Sequence, residues 1–298
     1  MIIRIAENAG FCFGVQNAFK KIVEIAKEND CPVNTLGPLI HNPQTIELLR
    51  EKYGVDFIEN AENAQDGIVV IRTHGVSPEV FKILDSKEII VENATCPYVI
   101  KTQNYASKLH EHGRFVVIIG DPMHPEVISI LGYAGNDGIA IEQIEQVEEL
   151  PMDRKLGIVI QSTFIPEKAE KIITRVREKY SNCVIYNTIC TVTQNRQSEA
   201  MEIAEISDYV LVIGGRNSAN TEKLRQIALL HGVNIVKKIE TIKEIDFEEL
   251  SNVNNLGILA GASTPSWMIS RVVSEIKEHY PHCSIIKFKP KIKNFKES

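Results

Sequence analysis

Short, almost wholly apolar runs alternate along the chain with longer amphipathic stretches. The runs Ile68–Ile71, Phe115–Ile119, Gly157–Ile160, Tyr209–Ile213 and Leu256–Ala260 are rich in β-branched residues. Runs of this length and composition predict strands buried on both faces, the pattern of parallel sheets covered by helices. Between them, Val15–Glu28 places apolar residues at 15, 18, 19, 22, 23, 25 and 26, one broad helical face. Pro166–Tyr180 and Thr221–His231 show similar patterns. The expected fold class is therefore α/β with mostly parallel sheets. No linker is rich in Gly, Pro or Ser, so any domains pack closely.

A faint internal echo divides the chain. The segments AGFCFGVQNAFKKIVEIA, ATCPYVIKTQNYASKLH and TICTVTQNRQSEAMEIA each place a cysteine just before a helix and a Gln-Asn pair soon after it. The cysteines, Cys12, Cys96 and Cys190, lie 84 and 94 residues apart, and each interval suits one small α/β domain. The expected domains are residues 14–96, 97–190, and 1–13 with 191–283. The Lys-rich segment 284–298 lacks a helical or strand period and is expected to be a flexible or weakly docked tail.

Composition narrows the function. A hydrophobic content of 44% over 298 residues supports a real core, which two or three α/β units would share. A net charge of −6 argues against general nucleic-acid binding. The N-terminus lacks a signal-peptide pattern, and no apolar run is long enough to span a bilayer. A cytoplasmic location, with no membrane and no nucleic-acid partner, is the expectation. In such a reducing compartment the six cysteines are not expected to form structural disulfides. No CxxC pair occurs, which removes zinc ribbons and thioredoxin-like motifs.

A thiolate at a helix N-terminus faces the positive end of the helix dipole, an arrangement that favours metal binding. Three such thiolates can hold three irons of a cubane and leave a fourth open. Spacing alone leaves Cys12, Cys96 and Cys190 equally open to a reading as buried structural residues. Cys31, Cys183 and Cys283 are expected to be small packing residues.

Three histidines share a strand–His–Pro–helix setting: His41 in GPLIHNP, His74 in IRTHGVSP and His124 in GDPMHPEV. Loops after parallel strands line the ligand crevice, where such histidines bind anions or move protons. Glu126 follows at a helix start, where it serves either as a dipole partner or in a proton relay. Two loops, GGRNSAN and AGASTP, open helices with Ser218, Asn220, Thr221 and Ser263, a pattern suited to phosphate or to ordinary capping. Gln161, Ser162 and Thr163 in QST add a third polar loop. A zinc hydrolase and a non-catalytic phosphate-ligand binder remain alternatives at this level.

The ordered set AGFCFGV, GPLIHNP, IRTHGV, ATCP, GDPMHPEV, QST, TICTVTQNRQ, GGRNSAN and AGASTP, from residue 9 to residue 265, resembles the 4-hydroxy-3-methylbut-2-enyl diphosphate reductase family, also called IspH or LytB. The resemblance implies a pseudo-threefold trefoil of three similar α/β domains around a central iron–sulfur cluster. It implies one [4Fe-4S] cluster per chain on Cys12, Cys96 and Cys190, convertible to [3Fe-4S] by oxidative loss of the apical iron. His41, His74, His124, Ser162, Ser218, Asn220 and Ser263 then match substrate-binding positions, and Glu126 matches the catalytic acid. Ser162 stands where the family's QTT motif has Thr, and Ala219 where some members have a second Ser. The implied reaction is reductive dehydroxylation of an allylic alcohol diphosphate, its hydroxyl binding the open iron. Isopentenyl and dimethylallyl diphosphates form, closing the methylerythritol phosphate route to isoprenoids, with electrons from a ferredoxin or flavodoxin.

Overall fold

The computed structural model describes residues 1–40, 42–135 and 137–290. The chain opens with a strand, β1 (Ile2–Ile5), and a helix, α1 (Phe13–Glu28). There follow β2 (Val33–Leu36), α2 (Pro43–Tyr53), β3 (Val55–Ile58), β4 (Ile68–Ile71), α3 (Pro78–Ser86) and β5 (Ile90–Asn93). Next come α4 (Pro97–Glu111), β6 (Phe115–Ile119), α5 (Pro125–Tyr133), β7 (Gly138–Ile141), β8 (Leu156–Ile160), α6 (Pro166–Lys179) and β9 (Cys183–Ile185). The rest comprises α7 (Thr191–Glu205), β10 (Tyr209–Ile213), α8 (Ala219–Leu230), β11 (Ile235–Ile239), α9 (Phe247–Leu250), β12 (Asn255–Ala260), α10 (Ser266–His279) and β13 (Ser284–Lys287).

These strands form three wholly parallel sheets, ordered β3-β2-β4-β5, β7-β6-β8-β9 and β11-β10-β12-β1-β13. The α/β class with three similar sheet units agrees with the pattern of apolar runs. The expected strands at 68–71, 115–119 and 209–213 coincide with β4, β6 and β10, and the other two each start one residue earlier. Central strands β4, β8 and β10 are buried at every position. Along β10, Tyr209, Leu211 and Ile213 pack toward α10, while Val210 and Val212 pack toward α7 and α8. That two-sided burial is why the runs carry no polar alternation.

The chain divides into two compact units. One holds Met1–Gln16, Ile40–Thr45 and Thr191–Ser298; the other holds Asn17–Leu39 and Ile46–Cys190. The first contains the five-stranded sheet and the second the two four-stranded ones. Among the described residues no helix is long and apolar enough to cross a membrane.

The Lys-rich C-terminal segment requires a correction. Ser284–Lys287 is a strand paired with β1 in register Ile2↔Ser284. All four residues are exposed, so the backbone ladder holds the strand and no alternating pattern marks it in the sequence. Residues 291–298 of the expected tail lie outside the described residues. Cys31 is also exposed rather than packed, whereas Cys183 and Cys283 do lie against apolar clusters.

Gly214 and Gly261 end the neighbouring strands β10 and β12, and a Cβ on either would overlap Thr221 Oγ1 of α8. Helix α8 therefore approaches these strand ends only because both residues lack a side chain. Gly261→Ala is expected to destabilise the chain by about 1–3 kcal/mol through overpacking. Combining it with Thr221→Ala should recover part of that loss, as measured by chemical denaturation.

Candidate functional site

Each sheet repeats one arrangement. The connections from the two central strands run to opposite sides of each sheet, so each central pair makes a topological switch point at its C-terminal end. The chemistry-bearing residues occupy those ends. His74 follows β4, His124 follows β6, Gln161 to Thr163 follow β8, Ser218 follows β10 and Ser263 follows β12.

The cysteines occupy a third equivalent place. Cys12, Cys96 and Cys190 each stand immediately before a helix, α1, α4 and α7. They leave β1, β5 and β9, the strands flanking β12, β4 and β8. Their backbone anchors are equivalent too. Cys12 N–H donates to Ala262 O at 3.0 Å, Cys96 N–H to Thr73 O at 3.0 Å and Cys190 N–H to Ser162 O at 2.9 Å. Each acceptor lies in the loop leaving the adjacent strand. The Val15 N–H lies 3.5 Å from Cys12 Sγ, so sulfur takes the capping position of α1. None of the three is in a disulfide among the described residues, and all three are half-buried. Such a donor set, soft sulfur presented at helix N-termini, fits an iron–sulfur cluster. Among the described residues no group of three His, Cys, Asp or Glu side chains is placed to hold a single metal ion.

Glu126 lies in the first turn of α5 and is 2% exposed. Its Oε1 accepts from Ser162 N–H at 2.6 Å and its Oε2 from Ser162 Oγ at 2.8 Å. The neighbouring His124 caps the same helix, its Nδ1 accepting from Glu126 N–H at 3.2 Å. That contact assigns the proton of a neutral His124 to Nε2. The His74 ring meets His124 edge-on, with centroids 5.3 Å apart. His74, His124, Glu126 and Ser162 thus form one cluster. His41 lies outside the described residues.

The expected phosphate loops differ in detail. Ser218 Oγ accepts from Thr221 N–H at 3.3 Å, so it caps α8 and keeps its own proton for another acceptor. Asn220 and Ser263 are each 8% exposed. Neither amide atom of Asn220 nor Ser263 Oγ has a hydrogen-bond partner among the described residues, and Thr221 Oγ1 has none either. Buried polar groups without partners are costly and rare, and they gather where ligands bind.

Gln161 of the expected QST loop gains a structural partner, while Gln103 and Arg72 escape sequence reasoning as site residues. Gln161 is fully buried and its Oε1 accepts from Asp121 N–H at 3.1 Å, tying the β6 and β8 loops together. Gln103 of α4 donates to Ser129 Oγ of α5 at 2.7 Å, fastening the Cys96 helix to the Glu126 helix. Its place in the Gln-Asn echo after Cys96 was the available signal. Arg72 precedes Thr73 and His74, and burial pushes its guanidinium down from the ordinary value. An arginine so shifted still carries its charge at neutral pH.

The chain has relatives over almost its whole length. It is 40% identical over 281 residues to the 4-hydroxy-3-methylbut-2-enyl diphosphate reductase of Caldanaerobacter subterraneus subsp. tengcongensis, 93% of this chain and 97% of that one. The enzyme of the same name from Clostridioides difficile is 39% identical over 281 residues, 92% of this chain and 98% of that one. The solved structure of the E-1-hydroxy-2-methyl-but-2-enyl-4-diphosphate reductase from Plasmodium falciparum superposes with a TM-score of 0.92 at 28% identity, over 98% of this chain and 93% of that one. Residues 3–277 match the family described as LytB protein, and this chain belongs to that family.

Proposed function

We propose that the chain is an iron–sulfur oxidoreductase that reduces (E)-4-hydroxy-3-methylbut-2-enyl diphosphate, using two electrons and two protons, to isopentenyl and dimethylallyl diphosphates and water. This is the terminal step of the non-mevalonate route to isoprenoids, and relatives of that activity match the chain end to end. The observation that carries the reading is the threefold placement of a cysteine before a helix, each anchored through its N–H to the loop of the adjacent strand. Cys12, Cys96 and Cys190 are the ligands of one [4Fe-4S] cluster per chain. When bound, that cluster supplies one-electron transfer and an open iron with Lewis-acid character.

The remaining roles belong to the side chains. Glu126 is the proton donor: in its protonated form Oε2 gives its proton to Ser162 Oγ, 2.8 Å away, as Ser162 gives its own hydroxyl proton to the substrate. Ser162 replaces the family's usual Thr without losing that hydroxyl. His74 and His124 serve the diphosphate as donors or cations, and the family resemblance assigns His41 the same role. Asn220 and Ser263 supply the donors that the protein itself leaves unmatched, and Ser218 adds its hydroxyl proton. The N-termini of α8 and α10 compensate anionic oxygen locally in a chain whose net charge is −6. The domains that fit this reading are 14–96, 97–190, and 1–13 with 191–283. A ferredoxin- or flavodoxin-type electron donor and a cytoplasmic location complete it, a reducing compartment being one in which a thiolate-ligated cluster and six cysteines suit each other.

Anaerobic purification followed by iron and sulfide analysis tests the reading, together with an assay using a reduced viologen dye. A brown, air-sensitive protein that turns over the allylic diphosphate is expected; a protein lacking iron and sulfide, or inert toward that substrate, refutes it. Glu126→Gln should keep the cluster absorbance and lose about 10²- to 10⁴-fold in kcat. A rate equal to the parent's removes Glu126 from proton delivery. Cys96→Ser should fall well below the parent's iron content per chain, and a fully loaded, active variant overturns the ligand assignment. Asn220→Ala should raise KM for the diphosphate by about 1–3 kcal/mol in binding terms while leaving the cluster spectrum unchanged.

A further inference from the structure

The three cysteines reach their helices by unequal routes. Two residues separate β5 from Cys96 and four separate β9 from Cys190, but six separate β1 from Cys12. The longer approach, Ala6–Phe11, has no strand or helix of its own, so its backbone groups need partners elsewhere. Ala6 N–H donates to Ile258 O of β12 and Ala9 N–H to Ala6 O, and three further groups find partners on α7. Glu199, 1% exposed, accepts from Glu7 N–H, from Asn8 N–H at 3.1 Å and from Asn8 Nδ2 at 3.3 Å. One turn earlier, Arg196 donates through Nη2 to Gly10 O at 2.7 Å and through Nη1 to Ala260 O at 3.3 Å. Gly10 has φ +113°, which favours glycine and turns the chain toward Cys12. The acidic group is chemically required. Both of its oxygens face N–H donors, and only an acceptor-only carboxylate meets them all. Burial pushes the Glu199 carboxyl up, while the Asn8 and Glu7 N–H groups and nearby Arg196 act against that.

We propose that Glu199, with Arg196, is a positioning residue that fixes the Cys12 thiol, so that the helix following Cys190 also sets the place of the first cysteine. The inference rests on reading Cys12 as a cluster ligand. Helix α7 starts one residue after Cys190, and the clamp lies about two turns into it. Any shift of the α7 N-terminus is therefore carried to the Ala6–Phe11 segment, and Cys12 moves with the helix that follows Cys190.

The test uses the full-length enzyme, loaded anaerobically, with Glu199→Ala and Glu199→Gln compared to the parent. Iron release to a ferrous chelator should accelerate about five- to thirtyfold in Glu199→Ala. Glu199→Gln, which turns one N–H2 toward a backbone donor, should fall between and serves alone if the alanine variant does not fold. After removal of metal, alkylation is followed at each cysteine by mass spectrometry. Cys12 should label about five- to thirtyfold faster in the variants, with Cys96 and Cys183 within about twofold of the parent. An unchanged Cys12 rate, or a common rise at all three cysteines, overturns the positioning role. Cys12→Ser separates the two readings: full iron content in that variant removes Cys12 as a ligand, while the labelling result still judges the clamp.

Discussion

A backbone hydrogen bond made three times governs the site. The N–H of each cysteine donates to a carbonyl in the loop leaving the adjacent strand: Cys12 to Ala262, Cys96 to Thr73 and Cys190 to Ser162. The bond follows from parallel pairing. Neighbouring strands of a parallel sheet end on the same side, so the loop that leaves one can accept from the chain that leaves the next. The loops whose carbonyls accept are also the loops that hold Ser263, His74 and the Ser162 hydroxyl. Fixing the sulfur and fixing the polar side chains are therefore one structural act, and a residue that shifts one of these loops moves both.

The five-stranded sheet shows how firmly that arrangement is kept. In the two four-stranded sheets, the helix after the second strand of the central pair leads to the edge strand that delivers a cysteine: α3 to β5 and α6 to β9. In the five-stranded sheet the equivalent place beside β12 belongs to β1, from the other end of the chain. Helix α10 still leads to a strand, but β13 pairs outside β1. The cysteine at this position thus comes from the N-terminal segment, at the cost of a longer unstructured approach. Ladder hydrogen bonds alone hold β13, as the exposure of all its side chains indicates.

Much of this was legible from pattern. Buried central strands such as β4, β6 and β10 carry uninterrupted apolar runs, because both of their faces are covered. The cysteine–helix junctions were visible as an echo, since a helix start with a following Gln-Asn pair is local information. What was not legible is non-local or unpatterned. The strand Ser284–Lys287 has no buried face to print a period on the sequence. Cys31 sits at a helix-to-strand junction like Cys183, but only the fold decides that one is exposed and the other packed. Glu199 reads as one more charge in an amphipathic helix until its partners, nearly 200 residues away, are folded onto it.

Two kinds of buried polarity divide the labour. Glu126 and Glu199 have both oxygens engaged by N–H or O–H donors, which fixes their rotamers and the loops they touch. Asn220, Thr221 and Ser263 are buried with donors and acceptors unmatched inside the protein. Leaving such a group unpaired costs on the order of 1–3 kcal/mol, so a fold keeps several of them together only where something else completes them. A multiply charged diphosphate, rich in acceptors and poor in donors, suits Asn220 Nδ2 and Ser263 Oγ as it would not suit a carboxylate. The carboxylates are accordingly saturated from within, while the amide and hydroxyls are not. On the proposed reading, this segregation lets a chain of net negative charge offer an anionic substrate hydrogen-bond donors in place of bare carboxylates.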